Sequence, residues 1–294
     1  HDPLRLAEEL AMLDCLSGGR VVAGFARGIP REHTVFDVPM TESRPRFEEA
    51  YEIIRALWTE EVASYEGKFW SYHDVAIWPR PVQQPHPPVW VPVTSSRETI
   101  EWAGRNNVAI TPGMGHPGLR DDVLRLYGNC LREHGHRLTP QHIHLSLNAY
   151  VADDKASAVR EAGPYLLYFN RTLFSHGNET EIGAQRRTGY VSERSLDYVR
   201  PENLPAARRA KSDYRNQTMA DIEREAEHWA WGSPAEVRKR IIEAARAAGA
   251  GRVLVNLNRG AMPNEMFLEQ IRRFADEVLP ALQDCQVELP RALT

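Results

Sequence analysis

Four hydroxyl side chains cluster where a helix is predicted to begin, in the segment Thr94-Ser95-Ser96-Arg97-Glu98-Thr99. Free backbone N–H groups and the positive end of the dipole make a helix start a binding site for an anion. Ser96 and Thr99 are three residues apart, so they face the same side of the first turn. The pattern therefore predicts an anion site. The alternative is that Ser95 and Glu98 only form a capping box, S-x-x-E.

Two arginines could add full positive charge to such a site. Arg27 follows a predicted strand at 20–25, and a guanidinium group binds phosphate through two parallel hydrogen bonds. The alternative for Arg27 is an ordinary salt bridge at the rim of the fold. Arg44 lies at the start of a predicted helix, where most arginines are simply solvated. Thr94 and Met114 follow the next two predicted strands and complete the candidate binding residues.

Strand and helix patterns alternate along nearly the whole chain. The predicted strands are apolar on both faces, as in a parallel sheet covered by helices, and each is linked to the next by a helix. Two architectures fit, an open doubly wound sheet or a closed barrel, and the GxGxxG motif of a dinucleotide-binding open sheet is absent. The predicted strands lie at 20–25, 89–93, 108–111, 142–151 and 253–257.

A closed barrel of this kind needs eight strands, whereas five are predicted and the pattern begins with a helix. We therefore expect an α/β fold, a (β/α)8 TIM-type barrel that is N-terminally incomplete, with three strand–helix units before His1. We expect 1–294 to form a single domain. The aromatic and proline-rich residues 62–88 predict a hairpin or extended excursion. The polar residues 174–222 predict an insertion that acts as a mobile lid or a dimer contact.

Several helix boundaries are specified by local signals. Asp2 and Pro3 predict the start of a first helix that ends at Gly18-Gly19 and carries an apolar stripe of leucines. Ser43 and Pro45 predict a second helix. Ser233-Pro234-Ala235-Glu236 is a capping box that predicts a late helix. The leucines of the first stripe are Leu6, Leu10 and Leu13.

The composition excludes several classes of protein. Of 294 residues, 42% are hydrophobic and 26% charged, which is ordinary for a globular protein. The net charge of −4 predicts no nucleic-acid partner and no anionic membrane partner. Three scattered cysteines without a CxxC motif predict a reducing compartment. No apolar run reaches the length of a bilayer-spanning helix, and no signal-peptide pattern opens the chain, so we expect a cytoplasmic protein.

A cluster of histidines could form a metal centre. His142 and His144 alternate on a predicted strand, so they share one face. However, they lie at the start of that strand, on the side of a barrel associated with stability. No carboxylate or cysteine joins them at metal-ligand spacing. We therefore predict no metal site.

Five stretches, in order and spacing, resemble the luciferase-like flavin monooxygenases. Each is modest alone, but together they are specific and cover nearly the whole chain except about 174–222. They are LAEELAMLDCLSGGRVVAGFARG (6–28), SRPRFEEAYEIIRALW (43–58), YEGKFWSYHDVAIWPRPVQQPHPPVWV (65–91), TSSRETIEWAGRNN (94–107) and GSPAEVRKRIIEAARAAGAGRVLVNL (232–257).

The resemblance implies a (β/α)8 barrel whose cofactor is reduced FMN. In bacterial luciferase, one arginine after the corresponding strand and another in an N-S-R stretch contact the flavin phosphate. These match Arg27 and Arg44, the latter in E-S-R. The hydroxyls that open the next helix match Ser96 and Thr99, with Ser95 adjacent. The resemblance thus implies that these residues bind the phosphate.

The sequence also departs from the family pattern. Ala26 replaces the cysteine that precedes the arginine in luciferase. The family's catalytic histidine belongs to the early strands that we expect before His1. The resemblance therefore assigns no catalytic residue within this chain.

The function implied is a two-component monooxygenase that uses reduced FMN and O2 to oxidise a small organic substrate. A separate flavin reductase would supply the reduced FMN, and we expect a homo-oligomer. Two alternatives stay open. One is a hydride-transfer oxidoreductase that uses a deazaflavin, because relatives of this fold do so. The other is a non-catalytic flavin-binding partner subunit.

Overall fold

In the computed structural model of the chain, helices and parallel strands alternate, as the sequence predicts. The structure describes residues 1–94, 96–112, 117–174, 190–192, 194–205, 214–258 and 260–293. The helices are α1 (Pro3–Ser17), α2 (Pro30–Val35), α3 (Ser43–Thr59), α4 (Arg97–Arg105), α5 (Pro117–Glu133), α6 (Lys155–Phe169), α7 (Met219–Ala226), α8 (Pro234–Ala248), α9 (Asn264–Arg273) and α10 (Pro280–Gln283).

The strands include four of the predicted ones close to their expected bounds and the first in shortened form. They are β1 (Ala23–Gly24), β2 (Ala63–Glu66), β3 (Ser71–Val75), β4 (Val89–Val93), β5 (Ala109–Pro112), β6 (His144–Val151), β7 (Ala230–Gly232) and β8 (Arg252–Asn256). Short 3-10 turns at Met40–Glu42, Pro140–His142, Pro201–Asn203 and Arg291–Leu293, and π-helical turns at Asn170–Phe174 and Phe274–Val278, connect or extend these elements.

The chain forms two compact units. The first contains residues 1–92 and 180–193, and the second contains residues 93–179 and 194–294. The prediction of a single domain over 1–294 stays a prediction. Among the described residues, no helix combines the length and apolar character needed to cross a membrane.

In the first unit, α1 packs against α3 through small side chains. The predicted caps are confirmed, since Asp2 accepts a hydrogen bond from the backbone of Arg5 at 3.1 Å and the helix ends at Gly18. The predicted leucine stripe is wrong, because Leu13 is 53% exposed. Ala7 and Ala11 form the buried face instead, which lets the indole of Trp58 approach and donate to the carbonyl oxygen of Ala7 at 3.1 Å.

A parallel ladder and a hairpin complete this unit. β1 pairs in parallel with β4, with Gly24 opposite Trp90. β2 and β3 form an antiparallel hairpin, which confirms the predicted excursion at 62–88. The buried carboxylate of Glu49, on α3, accepts hydrogen bonds from the backbone N–H groups of residues 68–70 at 2.9–3.1 Å. This carboxylate lies against Gly67, where a Cβ atom would collide with it.

In the second unit, β6 is the central strand. Its first part pairs in parallel with β8, from His144 opposite Arg252 to Asn148 opposite Asn256, and its last part pairs in parallel with β7. An isolated parallel bridge joins Ile110, within β5, to Ile143, the residue before β6. β7 was not predicted, because three residues are too few for a periodic pattern.

The capping box of α8 is confirmed. Ser233 and Glu236 exchange backbone and side-chain hydrogen bonds at 2.8 and 3.4 Å. This helix packs its Val237 and Ile241 against Ala149 of β6 in a buried cluster. All the strand pairs described between β1, β4, β6, β7 and β8 are parallel, as predicted, whereas closure into a barrel stays a prediction.

Candidate functional site

In the first unit, Arg27 follows β1 and is held on two sides. Its guanidinium donates a hydrogen bond to the hydroxyl of Ser43 at 3.3 Å. Its Cζ atom lies over the ring of Tyr190, 4.6 Å from the centroid. The Arg27 side chain is half-buried and Ser43 is buried, at the first residue of α3. The arginine is therefore fixed by a hydroxyl and an aromatic face.

Tyr190 is attached to the same backbone segment that carries Arg27. Its hydroxyl donates a hydrogen bond to the carbonyl oxygen of Gly28. Its ring packs edge-on against the imidazole of His33, with centroids 5.9 Å apart. His33 is buried, and its Nε2 lies 2.9 Å from the carbonyl oxygen of Arg27. Gly28 has a φ of 82°, a left-handed backbone conformation that residues with a side chain rarely adopt. The turn after β1 therefore favours glycine.

Arg44 shares this environment. Burial and the negative charge of Glu32 raise the pKa of Tyr190, whereas the positive charges of Arg27 and Arg44 act to lower it. Two guanidinium groups and one carboxylate thus act on the same phenol. The side chain of Arg44 is 25% exposed and pairs with the carboxylate of Glu48, with 3.7 Å between nitrogen and oxygen. Arg27 and Arg44 therefore share the surroundings of Tyr190 with a carboxylate, that of Glu32.

In the second unit, Ser96 caps α4. Its Oγ accepts from the backbone N–H of Thr99 at 3.4 Å and donates to a carboxylate oxygen of Glu98 at 3.1 Å. The N-cap is therefore Ser96. Ser95, which was the alternative capping residue, lies outside the described residues. Thr99 is half-buried in the first turn, and Thr94 is exposed just after β4. The predicted helix start is confirmed, whereas the anion site stays a prediction.

The candidate residue Met114 also lies outside the described residues, as does about half of the predicted insertion at 174–222. The described part at 194–205 contacts α5 through a buried carboxylate. Asp122 accepts from the backbone N–H of Arg200 at 3.0 Å, from its Nε at 2.5 Å and from the amide of Asn203 at 2.7 Å. Burial acts to raise the pKa of Asp122, but the hydrogen bonds from Asn203, Arg200 and Arg125 outweigh it and hold that pKa below its usual value.

The histidine arrangement differs from the prediction. His144 begins β6 and is buried, but His142 is not on the strand, because it ends the 3-10 turn Pro140–His142. Its Nδ1 accepts from the backbone N–H of Thr139 at 3.1 Å, and its Nε2 lies 3.0 Å from the Oδ1 of Asn107. Within the described ranges, no three His, Cys, Asp or Glu side chains are grouped to hold a metal ion.

The chemistry of the Arg27 neighbourhood fits a phosphate group. Guanidinium groups donate hydrogen bonds in a geometry that matches phosphate oxygens, and the hydroxyl of Ser43 adds a further polar contact. The phenol of Tyr190 remains protonated, because burial raises its pKa, so it brings no negative charge. Neither Ser43 nor Tyr190 was predicted from the sequence to belong to the site, although Ser43 was predicted to begin a helix. Ser43 stands beside Arg44 in the E-S-R motif and could have been noticed, whereas Tyr190 is distant in the chain.

One family profile matches most of the chain. Residues 1–252 match the family described as luciferase-like monooxygenase. The oxygenase component of a flavin-dependent trigonelline monooxygenase from Acinetobacter baylyi is 28% identical to this chain. The match covers 97% of this chain and 74% of that protein. An uncharacterized protein of Mycobacterium tuberculosis is 40% identical over 107 residues. That match spans 36% of this chain and 38% of the length of the mycobacterial protein.

A relative with a different cofactor in its name is also similar. An F420-dependent glucose-6-phosphate dehydrogenase of Kineococcus radiotolerans is 36% identical over 90 residues, 30% of this chain and 26% of that protein.

Solved structures share the fold. A monooxygenase from Streptomyces bottropensis superposes with a TM-score of 0.61 at 29% identity, covering 96% of this chain and 74% of that one. The oxygenating component of 3,6-diketocamphane monooxygenase from Pseudomonas putida, in complex with FMN, has a TM-score of 0.63 at 18% identity, over 99% and 78% of the two chains.

Proposed function

The chain belongs to the luciferase-like monooxygenase family, and on that premise we propose that it is a flavin-dependent monooxygenase that uses reduced FMN and O2 to oxidise a small organic substrate. One observation carries the proposal for this chain. The guanidinium of Arg27 is fixed between the hydroxyl of Ser43, at 3.3 Å, and the ring of Tyr190, whose centroid lies 4.6 Å from its Cζ atom. In a protein with a net charge of −4, a guanidinium fixed in this way, with Arg44 next to Ser43 in the chain, is suited to a dianion.

The proposed FMN-binding residues fall into two groups. Arg27 and Arg44 would neutralise the phosphate, and the start of α4 would add hydroxyl and backbone donors. When bound, reduced FMN supplies the electrons for activation of O2. The residues of this chain would bind and orient the flavin and exclude water from it. The full set is Arg27, Arg44, Thr94, Ser95, Ser96, Thr99 and Met114.

Two further parts of the proposal follow from the relatives. The trigonelline enzyme is named as an oxygenase component, which supports a separate flavin reductase as the source of reduced FMN. We also propose a homo-oligomeric state. The trigonelline enzyme makes a small N-heteroaromatic acid the first substrate to test.

Anaerobic titration of the 294-residue chain tests the cofactor. Reduced FMN, reduced F420 and riboflavin would each be added while protein fluorescence is recorded. The proposal predicts tight binding of FMN, weaker binding of riboflavin, which lacks the phosphate, and weak binding of F420. Stronger quenching by F420 than by FMN would favour hydride transfer with a deazaflavin, as the similarity to the Kineococcus dehydrogenase suggests.

A second experiment tests catalysis. The chain would be supplied with a flavin reductase, NADH, FMN, O2 and trigonelline, and products would be followed by mass spectrometry. Incorporation of one oxygen atom from 18O2 into the substrate is the expected result. If FMN binds tightly but no O2-dependent product forms with a panel of N-heteroaromatic acids, the non-catalytic flavin-binding subunit would be favoured instead.

A further inference from the structure

We propose that Tyr190 is a positioning residue that fixes the guanidinium of Arg27 for binding the flavin phosphate. The inference rests on the proposed function and deepens it. It assigns a role to a residue near the end of the first unit's second segment, 180–193, rather than to the segments that carry the family resemblance.

The contacts place Tyr190 directly on the arginine. The ring centroid is 4.6 Å from the Arg27 Cζ atom, within the range of a cation–π interaction. The phenolic hydroxyl is anchored to the carbonyl oxygen of Gly28, the residue after Arg27. Ser43 accepts a hydrogen bond from a terminal nitrogen of the same guanidinium. The ring of Tyr190 and the hydroxyl of Ser43 thus restrain the guanidinium of Arg27 from two sides.

This restraint matters because arginine is flexible. A free arginine side chain loses much rotamer entropy when it binds a phosphate, and prior fixation removes part of that cost. An aromatic face restrains the guanidinium plane and leaves its edge, which carries the N–H groups, to other partners. The phenol therefore contributes to anion binding without having to contact the anion.

The tyrosine itself adds no charge that competes with the phosphate. Aspartate or glutamate in place of Tyr190 would hold the arginine more strongly, but it would neutralise the charge needed for the phosphate. The phenol stays neutral because burial raises its pKa. The imidazole of His33 packs edge-on against the Tyr190 ring, with centroids 5.9 Å apart, and limits the movement of that ring.

The test compares FMN with riboflavin in a set of variants of the 294-residue chain. Tyr190→Leu removes the ring and the hydroxyl, and Tyr190→Phe keeps the ring but removes the bond to Gly28. Arg27→Ala and the double variant complete the cycle. Tyr168→Leu, at a 55% exposed tyrosine on α6, is the matched control. Binding is measured by flavin fluorescence, and folding by circular dichroism.

Tyr190→Leu should weaken FMN binding roughly three- to tenfold, the scale of one cation–π contact, and leave riboflavin binding unchanged. Tyr190→Phe should restore most of the affinity. Combined with Arg27→Ala, the leucine substitution should have no additional effect, because the residue it positions is gone.

Three results would overturn the inference: equal losses for FMN and riboflavin, additivity with Arg27→Ala, or no loss of FMN affinity in folded Tyr190→Leu. Failure of the proposed function looks different. In that case the unmodified chain would not prefer FMN to riboflavin, or Arg27→Ala itself would not reduce that preference.

Discussion

The side-chain amide of Gln270 pairs with both backbone groups of Val151, the last residue of β6. Its Oε1 accepts from the N–H of Val151 at 2.8 Å, and its Nε2 donates to the carbonyl oxygen at 3.0 Å. Gln270 is 3% exposed, so a glutamine on α9 completes the hydrogen bonding of a buried strand end as a neighbouring strand would.

Gln270→Ala should destabilise the fold by about 2 kcal/mol, because it leaves the buried N–H of Val151 without this acceptor. The carbonyl oxygen keeps a hydrogen bond from Arg273 at 3.1 Å, which limits the loss. Urea unfolding would measure the change. Gln283→Ala, at an exposed glutamine of α10, is the control and should have little effect. A loss below about 0.5 kcal/mol in Gln270→Ala would contradict this role.

Arg27→Ala should weaken FMN binding by about 1.5–3 kcal/mol, the scale of a hydrogen bond to a charged group. That corresponds to roughly ten- to more than a hundredfold in affinity. Riboflavin binding should not change. Arg5→Ala, at an arginine on α1 whose side chain is 75% exposed, serves as the control for charge alone. Equal losses for both ligands would mean that Arg27 acts on the flavin ring or on folding.

His144 should make the protein less stable in mild acid. Burial, together with the positive charge of Arg252, lowers the pKa of His144 to about 4. The unfolded chain protonates this imidazole near pH 6.5, so between about 6.5 and 4 it binds more protons than the folded state. Stability should therefore fall as the pH decreases through this window, by at most about 3 kcal/mol.

Urea unfolding at several pH values checks this prediction. His144→Gln should flatten the decline between about pH 6.5 and 4, because the titrating group is absent. His134→Gln, at an exposed histidine beyond α5, should leave the slope as it was. Identical slopes for His144→Gln and the unmodified chain would show that other groups cause the acid sensitivity.

Asp122 should govern the stability of residues 194–205. Asp122→Asn removes the charge that pairs with the Nε of Arg200 and should raise the rate of amide hydrogen exchange at Arg200 and Asn203 at least tenfold, as expected for about 1.5–3 kcal/mol. The neighbouring Asp121, whose side chain is 45% exposed, provides the control substitution Asp121→Asn. Unchanged exchange rates at Arg200 and Asn203 in Asp122→Asn would show that the carboxylate does not stabilise residues 194–205.

Features fixed by neighbouring residues could be predicted from the sequence. The caps at Asp2 and Ser233 and the strand at Val89–Val93 were found because each signal lies within a few residues of its element. His142 was misassigned because its side chain caps the turn after Thr139, so the strand begins only at His144.

Features made by distant residues could not be predicted. The leucines of α1 were expected to be buried, but Trp58 selects the alanine face, because only small side chains admit its indole. In the candidate site, sequence position suggested Arg27 and Arg44. The contact with Tyr190 depends on a chain path that periodicity does not encode.

The carboxylate of Glu49 occupies the space that a side chain at position 67 would need, so the two positions depend on each other. The carboxylate can reach the backbone N–H groups of residues 68–70 only while residue 67 lacks a Cβ atom, which would displace it. A side chain acquired at position 67 would therefore cost three hydrogen bonds at once. Replacing Glu49 by alanine would relieve the closest of these contacts, although a Cβ atom would still meet the ring of Tyr65. Among relatives that keep this hairpin, we therefore expect glutamate at position 49 and glycine at position 67 to be retained or lost together.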